Sequence, residues 1–432
     1  MLSPWKDTIT PPDFPTLTEN KHTGVLIIGG GITGLLTAYL FHRQGIPYIL
    51  AEKDKICCLT TGNTTAKITF QHSLIYDKLL KSVGEHKAKA YYQANREALL
   101  LYEKMCKNID CDFERKTNYV YSLNNKKKLE KELDAAQKLG IPMGYTDSVP
   151  LPLKTSGAVY CENQAQFNPL KFLYTIAQEM HIFENTFIKK VDGNTAYTDT
   201  NKITADSIVF ATHFPFTDSH GLYFVKLYQS RSYVIALENA DQINGMYIDE
   251  SDDGLSFRNY RDLLFIGGSN HRTGKKNSAY EPLRAFAKEH YPNHKEKYHW
   301  AAQDCMSLDS MPYIGHYSKS TANWYTATGF NKWGMTGALV GATLLRDIIC
   351  GIDSPYAEIF TPSRTIIKPQ LFVNTAETAI NLITPLPKRC THLGCALKYN
   401  RHEHSWDCPC HGSRFDEKGR VIENPAKKDL SI

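Results

Sequence analysis

Apolar positions near the front of the chain fall into two short runs, Val25-Leu26-Ile27-Ile28 and Tyr48-Ile49-Leu50-Ala51, separated by a stretch of small and apolar residues at helical spacing. That alternation predicts strand, turn, helix and strand. Residues 72–106 carry helical periodicity and high helix propensity, and predict a pair of surface helices. Residues 112–153 show short alternating runs such as Asn118-Tyr119-Val120-Tyr121-Ser122 beside a lysine-rich helix, and residues 157–167 return to strand character. Asn168-Pro169-Leu170 opens a further helix with proline in its first turn. Residues 187–209 alternate like a β-meander. Residues 222–299 are rich in strands and aromatics, as in an antiparallel sheet covered on one face.

The turn between the first two runs reads Gly29-Gly30-Gly31-Ile32-Thr33-Gly34. Gly29 permits a tight turn, Gly31 lets the backbone approach a pyrophosphate, and Gly34 allows close packing of helix on sheet. Phosphates are then expected at the free N–H groups and positive dipole end of the following helix. Glu52, eighteen residues after Gly34, is placed to accept hydrogen bonds from an adenosine ribose. Strand, helix and acid together pass the context test for a dinucleotide site.

Beyond Glu52, Thr60, Thr61, Gly62, Asn63, Thr64 and Thr65 suit a loop that donates to phosphate and flavin oxygens, and Lys67 adds a positive charge; a plain polar surface loop is the alternative. Cys57 and Cys58 are adjacent and fit buried thiols. Ser207 to His213 forms a strand ending in small residues, which would return the chain to the cofactor sheet. His213 there is either a cofactor contact or a strand-end histidine satisfied by backbone. Later, Trp324-Tyr325-Thr326-Ala327-Thr328-Gly329-Phe330 is again strand then glycine. The helix after Trp333 carries Gly337, Ala338 and Gly341 on a flat face, and its N-terminus can aim donors at an isoalloxazine ring.

These segments resemble the FAD-dependent D-amino acid oxidase and glycine oxidase family over most of residues 20–350. The resemblance implies an α/β (α+β) chain: a FAD-binding dinucleotide fold with an inserted antiparallel substrate domain. It places FAD against Gly29, Gly31, Gly34, Glu52, Thr61, Gly62, Asn63, Thr64, Thr65, Lys67, Gly329, Phe330, Trp333, Gly334, Met335 and Thr336. FAD-binding parts are expected at about 20–110, 155–215 and 300–362, and substrate-domain parts at about 111–154 and 216–299. Arg258, Tyr260 and His271 become candidates for holding a substrate, each also readable as structural. Relatives of the sarcosine oxidase type attach FAD through a cysteine near the position of Cys305, although a free buried thiol is the common state.

Residues 390–415 read CTHLGCALKYNRHEHSWDCPCHGSRF. Cys390-x-His392, fifteen residues, then Cys408-x-x-His411 supply two thiolates and two imidazoles from two loops, and Cys395 and Cys410 sit where a disulfide could clip the loops together. Such a set suits tetrahedral zinc as well as an iron-sulfur cluster. The extra cysteine pair, with Gly394 and Gly412 opening backbone N–H groups to sulfides, favours the cluster. The segment resembles the Rieske 2Fe-2S domain, a small all-β fold in which two cysteines hold one iron and two histidines the other. Carried over, Cys390 and Cys408 hold the inner iron, His392 and His411 the outer one, Cys395 pairs with Cys410, and Ser413 donates to a bridging sulfide. Residues 1–362 would form the oxidoreductase and 363–432 an abbreviated Rieske domain packed on it.

The formal charge of +5 over 432 residues gives nucleic-acid binding little support, and Lys126-Lys127-Lys128 reads as the solvated face of a helix. The start is broken by Pro4, Pro11, Pro12 and Pro15 and lacks a signal-peptide core, and no apolar stretch is long enough to span a bilayer. A cytoplasmic protein without an integral membrane segment is expected. The combination implies a FAD-dependent dehydrogenase of a small amine or amino or imino acid, delivering electrons through the cluster to an external protein or quinone. A reductase or oxygenase fed by the cluster, or a redox carrier or sensor without substrate, are the alternatives.

Overall fold

The computed structural model describes residues 2–275 and 278–431. Among the described residues three sheets organise the chain. The first is built on Lys21–Ile28, whose last four residues are fully apolar and buried. It pairs in parallel with Tyr48–Ala51 on one side (Ile28 opposite Ala51) and with Lys202–Phe210 on the other (Ile28 opposite Phe210). Ile182–Phe183 and Thr321–Thr328 extend it in parallel, and Tyr313–Ser318 closes one edge antiparallel. Both faces are covered, which is why these strands read as continuous apolar runs rather than alternating ones. The helices Ile32–Arg43 and Gly334–Ile349 pack on each other against this sheet.

The second sheet runs from Lys295–Ser307 through Leu227–Glu238, Leu263–Arg272, Ser256–Tyr260, Met246–Asp249, Glu114–Ser122 and Gly157–Gln166 to Lys67–Ile68. It is antiparallel except that Met246–Asp249 runs parallel to Glu114–Ser122. Gly157–Gln166 and Lys295–Ser307, assigned from sequence largely to the FAD-binding parts, are members of this second sheet. The physical reason is long-range pairing: Glu114–Ser122 and Leu227–Glu238 complete their ladders only with these strands. The predicted helix pair is present as Ile75–Cys106, broken at Gly84 (φ 81°), but its inner face is buried, including Tyr76, Tyr91 and Tyr102.

The third sheet holds four three-residue strands, Lys398–Asn400, Ser405–Asp407, Arg414–Asp416 and Val421–Glu423, in antiparallel order. So small a sheet encloses little core, namely Leu397, Phe415 and Ala426 around the four cysteines. The tail is instead fastened to the body by buried charge. Glu403 receives Arg231 Nε at 2.5 Å and Arg414 Nη2 at 3.0 Å, while Arg414 also reaches Asp407 and Glu423 at 2.9 Å each. The expected packing of tail on body is thus observed.

Candidate functional site: a nucleotide cavity beside a two-cysteine, two-histidine centre

Gly29 adopts φ +110° and donates its N–H to Ala51 O at 2.9 Å, so the turn leaves the strand sharply. A Cβ on Gly34 would lie 1.9 Å from Gly29 O, whereas one on Gly31 would meet only Thr61 Oγ1 at 3.4 Å. Gly34 therefore serves helix packing, and Gly31 keeps backbone open toward the cavity. The helix Ile32–Arg43 has no side-chain cap. Its first amide donates to Thr61 Oγ1 at 3.0 Å. The Glu52 carboxylate accepts Gly30 N at 2.6 Å and Asp54 N at 2.9 Å. Burial pushes its pKa up against these bonds, and each oxygen retains a lone pair for a ligand.

These groups open on one cavity of about 780 Å³. Gly29, Gly31, Glu52, Thr61, Asn63, Thr64, Thr65 and Lys67 line one end, and Phe330, Trp333, Gly334 and Met335 line another part of its wall. Gly34, Gly62, Gly329 and Thr336 lie behind the wall. Gly62 O accepts the Ser3 hydroxyl at 2.5 Å, Gly329 sits at φ +73°, and Thr336 Oγ1 donates to Thr69 O at 3.1 Å. Trp333 stacks on His72 at 4.8 Å, and burial holds His72 neutral, down to about 3.

Lys67 is half-buried, lines the cavity and donates to Thr65 Oγ1 at 3.3 Å. Burial, with the Arg258 charge beside it, lowers its ammonium to about 7. Arg258 itself is fully buried and donates to Thr65 O at 2.5 Å and Ala66 O at 3.0 Å, fixing the loop from behind. Tyr260 donates to Asp112 at 2.8 Å and packs edge-on against Trp5 at 4.6 Å. His271 stacks on Tyr233 at 5.7 Å, with Nδ1 3.3 Å from Ser269 O. None of these three lines the cavity, and Arg258 Nη2 and His271 Nε2 are buried without a hydrogen-bond partner among the described residues. The cavity wall carries other charged or polar groups, His213, Asp304 and Lys332, that residue types alone did not single out as a set. Cys305 also lines it, its thiol 3.6 Å from Thr328 Oγ1 and raised by burial to about 12, so it is a neutral thiol.

At the far side, Cys395 and Cys410 form a disulfide. The Cys390 and Cys408 thiols are both buried and unbridged, and each acts on the charge of the other. The His392 and His411 rings stand 4.9 Å apart at 90°, and both Nδ1 atoms are buried without a partner. Two buried thiols and two bare imidazole nitrogens are the donor set a Rieske cluster requires, since an unsatisfied buried nitrogen is otherwise costly. The residues present therefore fit the group.

The two regions adjoin. Gln229 donates to His411 O at 3.1 Å and Asn424 O at 3.2 Å, while its Oε1 meets His213 Nε2 at 3.0 Å. Gln303 donates to Gly412 O at 2.9 Å. Val421, Ile422, Glu423 and Asn424 of the tail form part of the cavity wall. The histidines turn toward the body, next to Phe214 and Phe224, and the His392 side chain is only 3% exposed.

Comparison with known proteins agrees with this geometry. The family model described as FAD dependent oxidoreductase matches residues 24–348, and that described as Rieske [2Fe-2S] domain matches residues 369–432. The chain belongs to the FAD-dependent oxidoreductase family and carries a C-terminal Rieske domain; its cofactors are FAD and a 2Fe-2S cluster. It is 35% identical over 489 residues to YhfW of Bacillus subtilis, named for a Rieske 2Fe-2S iron-sulfur protein, covering 99% of this chain and 96% of that one. Among solved structures, glycine oxidase from Geobacillus kaustophilus matches with TM-score 0.69 at 15% identity, covering 80% of this chain and all of that one. L-proline dehydrogenase from P. horikoshii matches with TM-score 0.67 at 18% identity, covering 81% of this chain and 98% of that one. At such identities these two likenesses show the fold.

Proposed function

We propose that this chain oxidises a small amine or an amino or imino acid in the cavity and passes the electrons one at a time through the tail to an external acceptor, a protein or a quinone. When bound, FAD supplies two-electron acceptance with one-electron release and the 2Fe-2S cluster supplies one-electron carriage. The residues proposed for FAD are those named above, led by the glycine turn, Glu52 and the Thr61 to Lys67 loop. Cys390, His392, Cys408 and His411 are proposed for the cluster.

The observation that carries the reading is Gln229, a single side chain bonded both to the backbone of His411 and to His213 in the cavity wall. Histidine side chains buried against the body suit transfer within the chain better than direct contact with a soluble partner. Around the substrate space, Lys67 near neutrality can hold or release a proton, and Lys332 offsets the buried Asp304. Phe330, Trp333 and Met335 supply apolar wall that excludes water. Glycine and L-proline, the amino and imino acid in the names of the two solved neighbours, support the substrate class.

Anaerobic mixing of the holoprotein with a panel of small amines and imino acids tests this. Flavin absorbance should bleach with at least one of them, followed by loss of the oxidised cluster bands. In Cys390→Ser the cluster bands should be absent and reduction of a one-electron acceptor should fall by about a hundredfold or more. Bleaching by reduced ferredoxin or a pyridine nucleotide, with none by any amine, would overturn the proposed direction of flow.

A further inference from the structure

The helix Pro369–Ile383 is turned inside out. Phe372, Ala376, Ile380 and Ile383 recur at the spacing of one helical face, and that face is in solvent: Phe372 is 67% exposed, Ile380 56% and Ile383 82%. The opposite face carries Gln370, Asn374, Glu377 and Asn381, and it is the face that is buried, with Asn374 and Asn381 under 5% exposed. Arg272 donates to Asn374 Oδ1 at 2.9 Å, Asn374 to Val225 O at 3.3 Å and Lys275 to Glu377 at 2.5 Å. Because the inward polar groups have specific partners, the helix cannot rotate to hide its hydrocarbon without breaking them.

We propose that this face lies on an anionic lipid surface, in the boundary between headgroups and acyl chains. Fifteen residues span about 22 Å, less than the roughly 30 Å of a bilayer core, so the helix lies along a membrane and does not cross it; among the described residues no helix is long and apolar enough to span one. The charges complement lipid phosphates. Lys368 stands at the N-cap of the helix and Lys388 follows its end by five residues, its ammonium 4.7 Å from the Trp406 ring; neither is in a salt bridge with a carboxylate among the described residues, and Glu377, the one acid in residues 363–397, points inward. With both ends basic, either pairing of two copies along this face would juxtapose like charges, which disfavours a second copy as occupant. A basic-ended amphipathic helix with aromatic and aliphatic residues on its free face has the character of an interfacial anchor.

The helix is tied to the cluster loop. Ala396 N donates to Asn381 O at 2.8 Å, and Arg389 donates to Thr384 O at 2.7 Å and to Gly394 O at 3.4 Å. Seating the helix on lipid therefore brings the loop of Cys390 and His392 to the membrane surface.

Co-sedimentation of the full holoprotein with extruded phosphatidylcholine vesicles, with and without phosphatidylglycerol, tests the proposal. Binding is expected to the phosphatidylglycerol vesicles. It should fall at least about tenfold when Phe372→Ser, Ile380→Ser and Ile383→Ser are combined, with flavin and cluster spectra kept as the check on folding. Lys368→Glu with Lys388→Glu should lower binding to the anionic vesicles specifically. Failure to bind either vesicle, binding unchanged in the triple variant, or a concentration-dependent dimer that the triple variant abolishes in place of vesicle binding would overturn it.

Discussion

His392 Nε2 lies 2.9 Å from Asp218 Oδ1, so a tail histidine proposed for the cluster is tied through its outer nitrogen to a carboxylate of the oxidoreductase body. Its Nδ1 stays free for iron. A carboxylate in that place stabilises the more positive, oxidised centre. Asp218→Asn should therefore raise the reduction potential, on the order of 60 mV for a tenfold change in the one-electron equilibrium. An EPR-monitored redox titration reads this directly, and an unchanged midpoint would show that the contact does not tune the cluster.

Two glycines of the same turn should behave differently. A Cβ at position 34 collides with Gly29 O, and because that oxygen belongs to the backbone it cannot step aside. Gly34→Ala should lower apoprotein stability by about 3 kcal/mol or more, at the upper end of overpacking costs. A Cβ at position 31 meets only ordinary contact. Gly31→Ala should leave the apoprotein urea midpoint within error while weakening FAD binding by about tenfold or more, seen as flavin lost on gel filtration.

Acid should loosen the tail before the body. Burial alone would raise the Glu403 pKa, but Arg231 and Arg414 overcome it and hold the carboxyl at about 2, below its ordinary 4.5. Its stabilisation is thus fully present above about pH 4.5 and lost as pH falls toward 2. Glu403→Gln should cost about 3 kcal/mol at neutral pH, the price of leaving two buried guanidinium groups short of a partner. The same change should flatten the acid limb of stability between those pH values, followed by cluster absorbance in urea.

Lys67 gives a slope of the opposite kind. In the folded apoprotein its ammonium titrates near 7 against an ordinary 10.5, so between these values the unfolded chain holds a proton that the folded chain has shed. Stability should rise with pH across that window, and Lys67→Met should reduce the rise. Lys226, lowered by burial to about 8, supplies a remaining part. A urea midpoint that varies identically with pH in both proteins would show that Lys67 stays charged.

What the sequence made legible was local. The turn of Gly29 to Gly34 and the spacing of Cys390, His392, Cys408 and His411 announce themselves because each chemistry is carried by residues close along the chain. The roles of Arg258 and Tyr260 were not legible, since the partners that occupy them, Thr65, Ala66 and Asp112, lie 148 to 193 positions away. Trp5 was missed altogether. It stands in a proline-rich opening with no periodicity, yet it is fully buried and donates to Thr64 O at 2.7 Å, holding the nucleotide loop from behind. A single tryptophan among polar residues was its one signal.

The charged and amide contacts under the tail also limit how far it can be treated as an interchangeable part. Arg231, Arg272, Gln229 and Gln303 all belong to the body, and each is bonded to a backbone or side-chain group of residues 403–424. Grafting residues 369–432 onto another flavoprotein would leave Glu403 and Arg414 buried without that counterpart surface. A working transplant would have to carry the receiving strands with it, so the inheritable unit is the seam and not the segment.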